Sequence, residues 1–213
     1  MSKTTGNFEG GADAYERGDY GTAMTEFRLL ADQGHADSQI FLGVMYARGQ
    51  GMPQDNAEAV KWFRLAAEQG DAGGQDSLGY MYKKGYGVPQ DNPEAAKWFR
   101  LAADQGEAFA QYHLGVMYGK GQGMPQDYQE AAKWFRLAAD QGQAMAQVTL
   151  GVMYANGHGV PQDFVLGYMW VNLAASQGQE DAVKNRDALA RKMTPQQIGK
   201  AQRLAREWKP KGK

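Results

Sequence analysis

Cysteine is absent from all 213 residues, which excludes disulfides, thiolate nucleophiles and thiolate metal ligands. A cysteine-free chain suits reducing and oxidising compartments alike. Net charge is nearly absent too. Twenty-three basic residues against 24 acidic ones leave −1, without the basic excess that a nucleic-acid footprint or a polybasic membrane patch needs. No apolar run approaches the ~20 residues needed to span a bilayer, so membrane insertion is not expected. Met1–Gly6 is polar and lacks the apolar core of a signal peptide. The chain as written reads as cytoplasmic, or as periplasmic or secreted with a leader already removed. Histidine is rare, and His35, His113 and His158 have no spacing that builds a metal or acid–base cluster. No cofactor and no metal are expected.

Repetition is what the chain has instead. Leu-Gly-x-Met-Tyr stands at Leu42–Tyr46, Leu78–Tyr82, Leu114–Tyr118 and Leu150–Tyr154. Gly34, Gly70, Gly106, Gly142 and Gly178 mark the same register at intervals of 36. A fixed period of that size signals stacked copies of one supersecondary unit, not a globule around one central core. Five units and a C-terminal cap account for the chain as one continuous domain.

Within one unit, Asp37–Arg48 reads as a first helix, with Leu42, Met45 and Tyr46 in an apolar stripe. Gly43 sits inside it at a cost of ~1 kcal/mol relative to alanine. Its recurrence at Gly79, Gly115 and Gly151 implies that the neighbouring helix approaches closely. Gly49-Gln-Gly51-Met-Pro53-Gln-Asp55 breaks the helix, and Asp55 with Glu58 predicts a capping box, repeated at Asp91/Glu94 and Asp127/Glu130. The second helix, Asn56–Gln69, turns Ala59, Trp62, Phe63, Ala66 and Ala67 inward and Lys61, Arg64 and Glu68 outward. Trp62, Trp98, Trp134 and Trp170 recur in register as the bulk of the stacked surface.

Leu-Gly-x-x-Tyr followed by Ala-x-x-x-Phe, at Ala59–Phe63, Ala95–Phe99 and Ala131–Phe135, is similar to the tetratricopeptide pattern. The Gly-x-Gly-[Met/Val]-Pro-Gln-Asp loop and the Ala-Ala-[Glu/Asp]-Gln-Gly ending resemble its relative, the Sel-1-like repeat, over about Ala12–Gly178. The resemblance implies an all-α fold, an α/α superhelical solenoid of about five hairpins plus C-terminal capping helices. It also implies binding of other proteins, with no catalytic residues belonging to the repeat. The division expected is a flexible N-terminus (1–8), a tetratricopeptide-like capping hairpin (9–35) and four repeats (36–71, 72–107, 108–143, 144–179). Capping helices (180–208) and a flexible tail (209–213) complete it. In the fifth unit Met169 and Asn172 stand where Lys61 and Arg64 stood, so that outer face needs a cover. A helix over Asp181–Lys192, and another opened by Thr194-Pro195 with Ile198, Ala201, Leu204, Ala205 and Trp208 in a stripe, supply one.

In related α/α repeats the first helices line a concave face, and counting from the shared Leu-Gly places the candidate groove. The residues are Ile40 and Val44 in the second unit and Tyr80, Lys83 and Lys84 in the third. Phe109, Tyr112, Val116 and Lys120 follow in the fourth, and Met145, Val148 and Val152 in the fifth. Phe109, Tyr112, Val116, Met145, Val148 and Val152 form one apolar patch if exposed. Tight curvature would instead bury them against the adjacent first helix, and both readings stand at this stage. Lys83, Lys84 and Lys120 offer an electrostatic clamp for an acidic or C-terminal carboxylate group.

Bland readings account for the other motifs. Gly-x-Gly precedes Pro-Gln-Asp between helices, so it reads as a turn and not as a phosphate cradle. Asp55, Asp91, Asp127 and Asp163 read as helix caps and not as cation ligands. Three functions remain. The first is a non-enzymatic adaptor, monomeric without its protein or peptide partner. It holds about ten extended residues in a trough of about 35–45 Å, with Tyr80, Phe109 and Tyr112 as anchors. The second, which comes from the resemblance to Sel-1-like proteins, is a hydrolase of cell-wall or β-lactam-like ligands. It needs a nucleophile with a base in reach, and Ser38, Ser77 and Ser176 have no histidine at a comparable register. The third is homotypic assembly, in which the groove receives another copy's terminus.

Overall fold

Residues 6–211 are described by a computed structural model. Among them the secondary structure is helical, with no strand. By its internal contacts the chain divides into two compact units, Met1–Gln105 and Gly106–Lys213. Stacked hairpins touch mainly their sequence neighbours, so no shared centre ties distant repeats together.

The first unit holds α1 (Phe8–Glu16), α2 (Tyr20–Ala31), α3 (Ala36–Arg48), α4 (Asn56–Glu68), α5 (Ala72–Lys84) and α6 (Asn92–Asp104). The second holds α7 (Ala108–Lys120), α8 (Tyr128–Asp140), α9 (Ala144–Asn156), α10 (Phe164–Ser176), α11 (Glu180–Ala190) and α12 (Pro195–Glu207). Hairpins pair α1 with α2, α3 with α4, α5 with α6, α7 with α8 and α9 with α10.

The hairpins α3/α4, α5/α6 and α7/α8 are each locked by a phenylalanine seated on a glycine, and in α9/α10 Val171 takes that place on Gly151. A Cβ on Gly43 would lie 2.6 Å from the Phe63 ring, one on Gly79 2.9 Å from Phe99 and one on Gly115 2.8 Å from Phe135. The helical penalty of those glycines is offset by the burial of three rings. The tryptophans are unevenly placed: Trp62 and Trp170 are buried, whereas Trp98 and Trp134 are half-buried. Trp98 is half-buried and donates its Nε1–H to Glu94 at 3.0 Å, while Phe99 is fully buried.

Arginine departs from the expected outward position. Arg28 donates to the Tyr46 hydroxyl (3.3 Å) and lies 5.0 Å over the Trp62 ring. Arg64 donates to the Tyr82 hydroxyl at 2.7 Å. Arg136 bonds the Tyr154 hydroxyl and lies 5.3 Å over Trp170. A planar, weakly hydrated guanidinium gains from stacking on an aromatic face, so the second helices draw it inward.

Adjacent hairpins are also stitched by buried glutamines that apolar periodicity does not mark. Gln39 donates its side-chain amide to Ala31 O (3.1 Å) and accepts from Gln69 (2.7 Å). Gln75 repeats this with Ala67 O (3.3 Å) and Gln105 (2.8 Å), and Gln147 does so in the second unit with Ala139 O and Gln177. Leaving such a buried carbonyl unpaired costs about 1–3 kcal/mol, so the glutamines fix the stacking register.

The loop between first and second helix is closed by three elements of its own sequence. Gln54 reaches back to Ala47 O (2.7 Å), and Gln90, Gln126 and Gln162 make the same bond in their repeats. Asp55 accepts from the Ala57 and Glu58 N–H groups at 2.9 and 3.0 Å. The reciprocal half of the expected capping box is replaced. The Asp55 N–H donates to Tyr46 O (2.9 Å), and Glu58 turns to Lys61 (2.6 Å). The second glycine of Gly-x-Gly has positive φ, 70° at Gly87 and 68° at Gly159, and each lies against the start of the previous second helix, at Asn56 and Tyr128. No side chain fits there.

The C-terminal helices close the second unit. Both α11 and α12 lie on α10, where Leu166 and Met169 stand in place of Glu130 and Lys133 of α8 and the leucine of Leu137 is kept as Leu173. Leu173 is 9% exposed, against 47% for Leu137. Thr194 and Gln197 form the reciprocal box that opens α12. Both ends of the described chain make contacts with the helices beside them. Asn7 caps α1, and Phe8 sets its ring 5.8 Å from those of Phe27 and Phe41, because an aromatic side chain at that point gains from burial. Lys211 donates its N–H to Asp140 O (2.8 Å) and pairs its Nζ with the Asp140 carboxylate (2.7 Å). The remainder of the two segments expected to be flexible, residues 1–5 and 212–213, lies outside the described residues. Among the described residues no helix is long and apolar enough to cross a membrane.

Candidate functional site

The first helices and the loops that leave them form a recurring cleft. In the first unit it has a volume of about 430 Å³ and lies between α3 and α5. Val44, Ala47 and Arg48 come from α3, Asp76, Ser77, Tyr80 and Met81 from α5, Asn56 and Phe63 from α4, and Gln54 and Tyr86 from the loops. In the second unit the cleft measures about 310 Å³. Tyr112, Val116, Gly119 and Lys120 of α7 line it, with Tyr128, Ala131 and Phe135 of α8, Thr149 and Met153 of α9, and His158 of the following loop. Adding 72 to Val44, Ala47, Arg48, Asn56, Phe63, Ser77, Met81 and Tyr86 gives eight of the ten residues of the second cleft. One site has been built twice, two repeats apart.

Both clefts carry aromatic groups at the rim. Tyr80 is 38% exposed and meets Tyr86 edge-on at 6.4 Å, with Lys84 Nζ 5.7 Å from the Tyr80 ring. In the second cleft Tyr128 stacks on His158 at 5.6 Å. The Tyr112 phenol lies deeper, and burial pushes its pKa above the ordinary tyrosine value.

The expected groove residues fall into several places. Val44 and Tyr80 line the first cleft, and Tyr112, Val116 and Lys120 the second. Phe109 and Met145, 57% and 44% exposed, line a separate cavity of about 440 Å³ with Gln141, Gln143, Gln177 and Gln179. The single patch expected from Phe109 to Val152 is thus divided, because Phe109 and Met145 sit near the N-terminal ends of α7 and α9 while the cleft lies toward the other end. Ile40, Val148 and Val152 are half-buried outside these cavities. Lys83 is drawn over the Phe99 ring at 5.9 Å. None of the twelve is fully buried, so tight curvature does not remove them from solvent.

Tyr86, Tyr128, Thr149, Met153 and His158 belong to the clefts and were not among the groove candidates. A signal for three of them exists in the sequence. Gln50, Tyr86, Gln122 and His158 occupy the x of Gly-x-Gly, and Asn56, Asn92, Tyr128 and Phe164 open the second helices. These are variable positions inside an otherwise constant loop, where variation marks what the repeat itself does not need. One serine does meet a histidine, contrary to the register argument. Ser38 Oγ lies 3.0 Å from His35 Nδ1. Ser38 is fully buried, and His35 caps α3 by accepting the Ser38 N–H, so the pair serves the helix start and offers no nucleophile to a substrate.

The Sel1 repeat pattern matches residues 36–71, 73–107, 108–143 and 144–179, more than half of the chain. No curated protein matches the chain significantly. Among solved structures, a Sel1 repeat protein from Oxalobacter formigenes is 40% identical with a TM-score of 0.72, and the match covers 79% of this chain and 49% of that one. A protective antigen of uropathogenic Escherichia coli strains with an SLR fold is 30% identical with a TM-score of 0.59, covering 92% of this chain and 51% of its own. A Sel1 repeat protein from Klebsiella pneumoniae shares the fold at 22% identity and a TM-score of 0.57, over 84% and 89% of the two chains. The chain spans about half the length of the first two. It belongs to the Sel1 repeat family, an all-α repeat fold whose members generally act as protein-interaction scaffolds.

Proposed function

We propose that the chain is a non-enzymatic adaptor that holds a peptide or helix of a protein partner against its first helices. The observation that carries this reading is the duplicated cleft, with Val44, Phe63 and Met81 in one copy and Val116, Phe135 and Met153 at the same register in the other. Clefts with apolar floors and a few polar groups at the rim suit the capture of side chains. Aromatic rims at Tyr80, Tyr86 and Tyr128 suit interface anchors, which favour large rigid rings. Each cleft is the size of one or two side chains, so affinity is supplied by several small contacts.

The test starts from a peptide-display selection on the immobilised chain. Tyr112→Ser combined with Val116→Ser is expected to weaken a selected peptide at least tenfold. The accompanying fall in Tm is modest, because both side chains are only half-buried. Unchanged affinity, or affinity lost only as the protein unfolds, contradicts the reading.

A further inference from the structure

The two clefts are built alike and charged differently. Arg48 and Lys120 hold one rim position, and Tyr86 and His158 another. On the facing first helix the first cleft has Asp76, whose register equivalent in the second unit is Val148. The first lining therefore carries both signs of charge. The second carries Lys120 and an imidazole over Tyr112, Val116, Phe135 and Met153, and no carboxylate. The acids nearest in sequence are engaged elsewhere. Asp127 accepts the Gln129 and Glu130 N–H groups at 2.8 and 3.0 Å, and Glu130 pairs with Lys133.

Resting on the adaptor reading, we propose that the cleft of the second unit receives a bulky apolar side chain flanked by an acidic side chain of the partner. The apolar group enters between Val116 and Met153, and the carboxylate meets Lys120 and His158 at the mouth. A desolvated apolar anchor supplies the affinity, and an opposite charge at the rim supplies selectivity. A side-chain carboxylate fits better than a chain terminus. A nest of free backbone N–H groups would favour a terminal carboxylate, and the His158 N–H at this rim is already bonded to Met153 O at 3.0 Å.

The test uses acetylated, amidated pentapeptides, Gly-Asp-Leu-Asp-Gly and Gly-Lys-Leu-Lys-Gly. Methyl NMR follows Val116, Thr149 and Met153, with Val44 and Met81 of the first cleft as internal comparison. The acidic peptide is expected to shift the second-cleft methyls and to bind about two- to fivefold more tightly than the basic one, the range of one exposed ion pair. Lys120→Glu, at an exposed position, is expected to abolish or invert that preference. Equal affinity for both peptides, or a preference unchanged in Lys120→Glu, overturns this inference while leaving the adaptor reading intact. Shifts in neither cleft with either peptide count against both. An uncharged peptide ending in a free leucine carboxylate that binds as well as the acidic one overturns the side-chain assignment.

Discussion

Phe99→Ala is expected to destabilise the first unit by about 3–5 kcal/mol, read as a lower urea midpoint in far-ultraviolet circular dichroism. Phe99 is fully buried, with 0% of its surface in solvent. It faces Gly79, where a side chain that might lean into the vacated space does not exist. The cavity therefore persists, and both the lost transfer energy and the lost contacts count. A companion experiment tests the cause. Gly79→Ala alone is expected to destabilise, because its Cβ would lie 2.9 Å from the Phe99 ring. In the Phe99→Ala background the same change is expected to stabilise, by up to about 1 kcal/mol from helix propensity. A sign that stays the same in both backgrounds would place the purpose of the glycine elsewhere.

The second large effect is expected at Gly159. Its φ of 68° already disfavours an L side chain by about 1–2 kcal/mol. A Cβ there would also lie inside the Tyr128 carbonyl oxygen and 2.9 Å from the Gln129 nitrogen, both backbone atoms that cannot swing aside. Overpacking adds about 1–3 kcal/mol, so Gly159→Ala is expected to cost about 2–5 kcal/mol. Gly157 is the comparison, since its φ is 71° but the nearest atom to an added Cβ is 3.4 Å away. Gly157→Ala should show the conformational cost alone, about 1–2 kcal/mol. Equal losses at the two positions would mean that the loop does not press on the start of α8.

The architecture was legible because a 36-residue period constrains everything at once. The start of the second helix was readable from Asp55, and the need for a cover from Met169 and Asn172, since both are local or compositional signals. The polar interior was not. Gln39, Gln75, Gln111 and Gln147 look like surface residues to any hydrophobic count, and only their recurrence 36 residues apart hints at shared work. Arg64 was read as outward for the same reason, because periodicity gives the direction of a Cβ and says nothing of where a long guanidinium ends. The cleft was half legible. Helical counting found Val44, Tyr80, Tyr112, Val116 and Lys120, all on first helices. It missed Tyr128 and His158, which reach the same space from the second helix and the loop through a close approach that no one-helix pattern contains. It also merged Phe109 and Met145 with a cleft that lies further along the same helices.

The most direct test is a crystal structure of the chain with a peptide selected on it. Its side chains should enter the cleft at Val44, Tyr80 and Met81, the one at Val116, Tyr128 and Met153, or both. A peptide seated instead on the outward faces of α4, α6 or α8, with both clefts empty, would contradict the account.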